Sequence, residues 1–198
     1  MRGVNSNKVI KEVQQIVEKV CSRDTNVFGD GIWTHHILQV VKIGKKLAEQ
    51  FGADSEIVEI SALLHDYAGI KDHSLHKDHH IHGAIEAEKI LKDLNYPEQK
   101  IEAVKHCIEN HRGSVPGKRS TPEAECLASA DAIAHIENVP SLFYLAYAKF
   151  DMEIDEGEDW IRKKLIRTWK KINPEFRHLV EEKYNSALIT VTKKEAQL

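Results

Sequence analysis

The residues best suited to chemistry are the adjacent His65 and Asp66, which follow the apolar run Ile60–Leu64. At the end of a buried helix, such a pair offers one imidazole nitrogen and one carboxylate from a rigid support. Ligands of these two types suit divalent cations of borderline hardness. Taken alone, the dipeptide is more often a polar pair satisfied by hydrogen bonds at a helix end. The metal interpretation therefore depends on what the rest of the chain contributes.

Three further metal-competent residues continue the apolar stripes of other predicted helices. They are His36, four residues before Val40, His111, three residues after Ile108, and Asp131, four residues after Leu127. Spacings of three and four place side chains on the same helix face. A single histidine on such a face is more often only hydrogen-bonded, but a buried aspartate without a partner is costly. A divalent cation would satisfy all of these groups at once.

Helical periodicity dominates the elements that must position these residues. The first helix is predicted from about Asn5 to Cys21, and the second from near Trp33 to a stop at Gly52. Asp54 or Ser55 is predicted to cap the third helix, which runs into His65. Later helices are predicted to start at Asn95, with Glu98 three residues on, at Thr121-Pro122 and at Pro140, and the last two to separate at Asn173-Pro174. The segment from Lys71 to His80 is predicted to be a loop. No segment shows the alternation of apolar and polar residues that is typical of a strand, so the predicted fold is all-α.

Composition limits the function classes. The 198 residues carry a formal net charge of −3, which makes nucleic acid an unexpected partner. The chain has three cysteines without CxxC spacing, a start that does not resemble a signal peptide, and no apolar run long enough to span a membrane. These features predict a cytoplasmic protein without a membrane partner. No linker divides residues 1–198, so one domain is expected. The chain has 12 histidines, and five of them lie between His73 and His82.

In chain order, four sequence pieces resemble the HD-domain superfamily of metal-dependent phosphohydrolases. They are His36-Ile37-Leu38-Gln39-Val40, Ala62-Leu63-Leu64-His65-Asp66, Ile108-Glu109-Asn110-His111-Arg112 and Leu127-Ala128-Ser129-Ala130-Asp131. The resemblance runs from about Trp33 to His135, roughly half the chain. It implies a helical bundle with an HD-like core at about 33–136. The helices at about 138–192 carry no readable motif, and they are expected to complete this core or, in the alternative, to pack against another subunit.

The resemblance implies metal ligands at His36, His65, Asp66 and Asp131. His35 competes with His36, which is preferred because it keeps the family spacing to Val40. The implied cofactor is one divalent ion, and the sequence does not distinguish Mn, Co, Ni, Fe, Zn and Mg. Two imidazoles and two carboxylates leave open positions for a water, whose pKa the ion lowers, and for a phosphoryl oxygen.

The implied activity is cleavage of a phosphate ester of a nucleotide or similar small metabolite by metal-bound hydroxide. Asp66 would orient or deprotonate the water, and His111 would contact the phosphate or act as an acid. Substrate contacts are predicted for His79, His80, Arg112, Lys118 and Arg119, although loop charges of this kind are as often simply solvated. In the alternative, His79 and His111 bind a second metal, with His80 and His82 as rivals of His79. His73 and His76 are expected to be ordinary polar residues of a loop.

Two other functions stay open. Some proteins of the superfamily are two-iron oxygenases, a reading that extra histidine ligands favour, and a non-catalytic metal- or nucleotide-binding module is the third candidate. Departures from the family pattern at Gln39, Tyr67 and Ser129 leave the substrate undetermined. A homo-oligomer is possible, and the sequence does not decide it.

Overall fold

The computed structural model describes residues 5–113 and 118–192. Within these ranges the chain is all-α, as predicted, and contains no strand. The helices are α1 (Ser6–Cys21), α2 (Leu38–Phe51), α3 (Ser55–Leu64), α4 (Tyr67–Lys71), α5 (His79–Asp93), α6 (Glu98–Asn110), α7 (Pro122–Glu137), α8 (Val139–Phe143), α9 (Ile154–Lys171) and α10 (Glu181–Thr190). Trp33–Ile37 and Tyr144–Lys149 are π-helical, and His73–Asp78 and Pro174–Leu179 are 3₁₀ turns.

Local capping chemistry sets most helix ends where the sequence predicts them. The side chains of Asn5, Asp54 and Thr121 accept hydrogen bonds from backbone N–H groups in the first turns of α1, α3 and α7. These bonds satisfy donors that a helix start leaves unpaired. Gly52 ends α2 in the left-handed region at φ 67°, which glycine adopts without a steric penalty. The predicted boundaries of these helices are confirmed.

The loop predicted from Lys71 to His80 is wrong. Helix α4 includes Lys71, a 3₁₀ helix follows, and His79 opens α5. The carboxylate of Asp72 accepts a hydrogen bond from the backbone N–H of Ser74 at 2.9 Å and so caps the 3₁₀ helix. A 3₁₀ helix has three residues per turn, so side chains three apart eclipse one another. The imidazoles of His73, His76 and His79 stack in this way, with ring centroids 5.5 and 5.3 Å apart.

The predicted N-cap at Asn95 is also wrong. Asn95 has φ 55°, and the N-cap position of α6 is occupied by Pro97. The backbone N–H of Tyr96 donates to the carbonyl of Leu91, which closes the end of α5. Asparagine tolerates the left-handed conformation better than most residues, so here it terminates one helix instead of starting the next.

The core is built where α2 crosses α3 and α7. A Cβ at Gly44 of α2 would lie 2.9 Å from Val58 Cγ1 and 3.6 Å from Ala130 Cβ, so only glycine permits this approach. All residues of α3 from Ile57 to Leu64 are buried, as are most residues of α7. The turn before α2 that carries His36, the end of α3 before His65 and the middle of α7 at Asp131 therefore meet at one place.

The C-terminal helices share this core. Ile161 and Leu165 of α9 are fully buried against it, and Tyr184 of α10 stacks on Trp169 with ring centroids 4.4 Å apart. Helix α9 packs on α7, which carries Asp131. A shared core favours the prediction of one domain over residues 1–198, which stays a prediction. None of the described helices combines the length and the apolar character needed to cross a membrane.

Candidate metal centre

A break between α3 and α4 aims His65 and Asp66 at the same point. Neighbouring side chains on a continuous α-helix point about 100° apart. Here α3 ends at Leu64, and the backbone of Asp66 is non-helical, with φ −104° and ψ 1°. As a result, His65 Nε2 lies 3.3 Å from Asp66 Oδ2.

The first cluster of ligand atoms comes from His36, His65 and Asp131, all of them buried. His36 Nε2 lies 3.2 Å from His65 Nε2 and 3.4 Å from Asp131 Oδ1. His36 sits in the π-helical turn before α2, a geometry that occurs often at functional sites. His35, its rival from the sequence, is exposed.

The second cluster is formed by Asp66, His79 and His111. His79 Nε2 lies 3.1 Å from His111 Nε2 and 3.2 Å from Asp66 Oδ1. Asp66 Oδ2, the other oxygen, faces the first cluster at 3.3 Å from both His36 Nε2 and His65 Nε2. One carboxylate therefore joins two three-ligand clusters.

Backbone carbonyls fix the tautomers of three of these histidines. The Nδ1 atoms of His65, His79 and His111 lie 2.8, 2.7 and 2.6 Å from the carbonyl oxygens of the third residue before each. A carbonyl oxygen only accepts, so each Nδ1 carries its hydrogen and each neutral imidazole presents the lone pair of Nε2. This orientation is typical of histidine ligands with an outer-shell partner.

The electrostatics of the second cluster favour a metal ion over a proton. Two neutral imidazoles whose lone pairs face each other at 3.1 Å repel unless a cation lies between them. Burial, together with the charges of His65 and Lys171, holds the pKa of His111 well below its usual value, which opposes protonation. A divalent ion resolves the repulsion without charging an imidazole.

The carboxylates remain ionised, although Asp131 is buried and Asp66 is only partly exposed. Burial opposes their charge, but His65 and His36 hold the pKa of Asp66 well below its usual range. Lys171 and His135 do the same for Asp131. Burial also opposes charge on His65, yet Asp66 and Asp131 outweigh it and raise its pKa to about 8. A metal at this site therefore competes with a proton for His65 Nε2 at neutral pH.

The residues present fit a metal ion. Asp131 Oδ1 is buried and has no hydrogen-bond partner among the described residues. In each cluster two pairs of ligand atoms lie 3.1 to 3.4 Å apart, and the third pair lies 4.0 Å apart in the first cluster and 3.9 Å apart in the second. Ligands about 2.1 Å from a common ion span these distances at angles of about 95 to 145°. An orphaned buried oxygen beside converging imidazole lone pairs is what a cation site requires.

Two residues that contact Asp131 were not predicted from the sequence. His135 Nε2 lies 3.3 Å from Asp131 Oδ1, and its ring stacks on His36 with centroids 4.6 Å apart. The Lys171 ammonium pairs with Asp131 Oδ2. The spacing of four residues between Asp131 and His135 signalled that pair, whereas nothing in the sequence connects Lys171 of α9 with this site.

The predicted substrate-binding residues occupy different positions relative to the two clusters. His79 is in the second cluster, while the buried His80 lies 3.5 Å from Arg112 at its border. Arg112 also donates to the carbonyl of Lys77, and Lys118 is exposed.

Arg119 contacts backbone carbonyls and Glu125. It donates to the carbonyls of Asn110 and Lys171 at 3.2 and 3.0 Å, and thereby ties the end of α6 to the end of α9. Its contacts indicate that Arg119 positions Lys171. Ser129, where the family pattern has aspartate, accepts a hydrogen bond from the backbone N–H of Asn173 at 3.1 Å.

Solved structures resemble this chain over almost its whole length. Bacillus subtilis YpgQ aligns with a TM-score of 0.71 at 20% identity, over 94% of this chain and 93% of YpgQ. YpgQ in complex with ADP gives a TM-score of 0.67 at 19% identity, with 94% of each chain covered. A Lactobacillus plantarum protein gives 0.68 at 13% identity, over 96% of this chain and 95% of that one. At these identities the likeness concerns the fold alone.

Comparison with known sequences identifies the family to which the chain belongs. An uncharacterised protein of Clostridium beijerinckii is 29% identical over 103 residues, which span 51% of this chain and 63% of that relative's length. The family model described as HD domain matches residues 33–136, the region that contains both clusters. The resemblance expected from His36, His65-Asp66 and Asp131 is thereby confirmed, and the chain belongs to the HD domain family.

Proposed function

We propose that this protein is a metal-dependent phosphohydrolase that cleaves a phosphate ester of a nucleotide or a similar small metabolite. The observation that carries the proposal is the Asp66 carboxylate, whose two oxygens face two separate His/Asp clusters. Membership of the HD domain family supports the hydrolase class. The similar fold of YpgQ, which was solved in complex with ADP, supports a nucleotide-like substrate.

The proposal includes a metal in each cluster, which revises the preference for one ion. His36, His65 and Asp131 would hold the first ion, His79 and His111 the second, and Asp66 would bridge them. This assigns His111 as a ligand, because its Nδ1 is bonded to a carbonyl and its side chain is only 2% exposed. A buried ligand cannot also deliver a proton to the substrate.

When bound, divalent ions lower the pKa of a coordinated water and polarise a phosphoryl oxygen. The protein's own part begins with Asp66, whose low pKa makes it suited to accepting a hydrogen bond from the attacking water, which orients that water. Lys171 holds Asp131 Oδ2, so that Asp131 presents Oδ1 to the cluster. Asp66 is 25% exposed, whereas the side chain of His65 is 0% exposed. The substrate therefore approaches from the side of Asp66.

Phosphate release from a panel of nucleotides and small phosphate esters tests the proposal. The protein is stripped of metal and reloaded in turn with Mn, Co, Ni, Fe, Zn or Mg. Activity of the reloaded wild type should be lost in Asp66→Asn and kept in Asp93→Asn, which changes an exposed aspartate at the end of α5. If the wild type binds both metals but releases phosphate from no compound of the panel, the proposed hydrolase activity is contradicted.

The six-ligand arrangement also keeps a second candidate, a two-iron oxygenase, because His79 and His111 are the extra histidines that this chemistry needs. The two proposals differ in metal and in light absorption. An iron-loaded protein with visible absorbance that changes on exposure to dioxygen, together with no phosphate release, would favour the oxygenase. A protein that only gains thermal stability from metal, with neither property, would be a binding module.

A further inference from the structure

Helix α9 presents two lysines on the side that packs against α7. Lys164 and Lys171 are seven residues apart, close to two full helical turns, and therefore lie on one face about 10 Å apart along the axis. Thr168, between them, is buried. Both lysines lie outside residues 33–136, which match the family.

The two lysines differ in what they contact. Lys171 is buried and its ammonium pairs with Asp131 Oδ2, so a carboxylate of the first cluster already compensates its charge. Lys164 is half-buried, and no carboxylate among the described residues forms an ion pair with it. Other lysines on the same helix do have partners: the ammonium of Lys163 lies 2.6 Å from Asp159 Oδ2.

The helix face that carries Lys164 is the one that reaches the clusters. Lys171 on that face pairs with Asp131 of the first cluster, and α9 packs on α7. Burial lowers the pKa of Lys164, while the carboxylates of Asp131 and Asp66 oppose that effect. Burial also lowers the pKa values of His135 and His76, and the charge of Lys164 adds to that effect. The geometry of α9 and these charge effects agree in placing Lys164 on the cluster side of the helix.

We propose that Lys164 binds a phosphate oxygen of the substrate and that α9, outside the family core, thus supplies a substrate-binding residue. The proposal rests on the proposed function, because it names the residue that recognises the phosphate at that same site. Lysine is suited to this role, since its ammonium is a compact charge with three donors. Lys164 has a donor to offer, because no acceptor within residues 5–113 and 118–192 is paired with it.

Affinity for a non-hydrolysed ligand separates this inference from turnover. The Mn²⁺-loaded wild type, Lys164→Met, Lys164→Arg and Lys163→Met would be titrated by calorimetry with inorganic phosphate and with the phosphonate analogue of AMP, in which a methylene group replaces the ester oxygen. Lys164→Met should weaken the binding of the phosphonate by about 10- to 100-fold, the value of one charge-assisted hydrogen bond. Lys164→Arg should stay within a few-fold of the wild type, and Lys163→Met should bind as the wild type does.

Metal content and kinetics complete the test. If Lys164 binds the substrate, Lys164→Met keeps the metal content of the wild type and raises KM on the hydrolysed ester. Wild-type affinity in Lys164→Met would overturn the inference and leave the hydrolase standing. Loss of metal from a folded Lys164→Met or Lys164→Arg would also overturn it, since Lys164 would then support the metal site instead.

The remaining outcomes distinguish the two proposals. If Lys164→Met loses ligand affinity but the wild type hydrolyses nothing, the inference stands and the hydrolase fails. If the wild type binds neither probe, the inference is overturned together with the nucleotide part of the proposed function. Should Lys164→Met not fold, Lys164→Gln replaces it, and the same comparison with Lys164→Arg decides.

Discussion

Replacing His111 by glutamine removes one ligand from the second cluster while leaving the three ligands of the first in place. Glutamine is close to histidine in size but lacks the imidazole lone pair. We expect the wild type to bind two divalent ions per chain and His111→Gln to bind one tightly. Mutation of a mere outer-shell partner costs about 10- to 100-fold in metal affinity, so loss of a ligand should cost at least about 100-fold.

The same change has a predictable effect on stability. An ion present at 100 times its dissociation constant stabilises the folded protein by about 2.7 kcal/mol. Two sites would add about twice that to the wild type, and His111→Gln would lose one share. For a chain of this size, about 2.7 kcal/mol corresponds to a melting temperature about 5 to 11 °C lower under saturating metal.

Metal analysis of desalted protein, together with thermal unfolding with and without added Mn²⁺, measures both quantities. His82→Gln is the matched control, because His82 is half-buried on α5 and belongs to neither cluster. It should keep two ions and the full metal-dependent shift. Two tightly bound ions in His111→Gln would refute the second cluster, and a single ion in the wild type would refute it as well.

Three further predictions follow from the contacts. Because the His65 pKa is raised to about 8, a proton must leave His65 for metal to bind, so metal affinity should rise about tenfold per pH unit below pH 8 and level off above it. Calorimetry between pH 6 and 9 measures this, and a flat profile would contradict it. Lys171→Met should lower the free energy of unfolding of the metal-free protein by about 3 kcal/mol, since the buried Asp131 loses its partner. Urea unfolding checks this, and metal should restore part of the loss; equal stability of variant and wild type would count against the pairing. Gly44→Val should cost about 1 to 3 kcal/mol, because a Cβ at Gly44 would already lie 2.9 Å from a methyl group of Val58. A melting temperature equal to that of the wild type would show that α2 and α3 can separate there.

Features governed by local chemistry could be predicted from the sequence. Asn5, Asp54 and Thr121 accept hydrogen bonds from neighbours only a few residues away, so the helix starts that they cap are legible in the chain. The apolar stripes likewise placed His36 and Asp131 on faces that turn inward. Such signals need no knowledge of how distant helices pack.

Features that depend on tertiary contacts could not be predicted. The 3₁₀ helix forms where Phe28, from a distant loop, packs on His73 and His76 at 5.7 and 5.3 Å between ring centroids, and composition alone indicated a loop. The bridging position of Asp66 depends on how closely α5 and α6 approach α3. At Gly83 a Cβ would lie 3.2 Å from Ile108 Cγ2, and this tight contact brings His79 and His111 together.

The approach of α9 to the site illustrates the same limit. Lys171 is 40 residues from Asp131, and the periodicity of α9 marks only its apolar face. A lysine bordering that face is usually solvated, so nothing distinguishes Lys164 or Lys171 from the other lysines of the helix. Their position becomes meaningful only once α9 is seen to pack on α7.

One titration decides whether Asp66 joins two metal ions in a phosphohydrolase. Mn²⁺ is added stepwise to metal-free wild type and to Asp66→Asn, and phosphate release from the preferred ester of the panel is followed. We expect wild-type activity to reach its plateau only at two equivalents of metal, and Asp66→Asn to stay inactive at any metal concentration. Full activity at one equivalent, or turnover by Asp66→Asn close to that of the wild type, would contradict it.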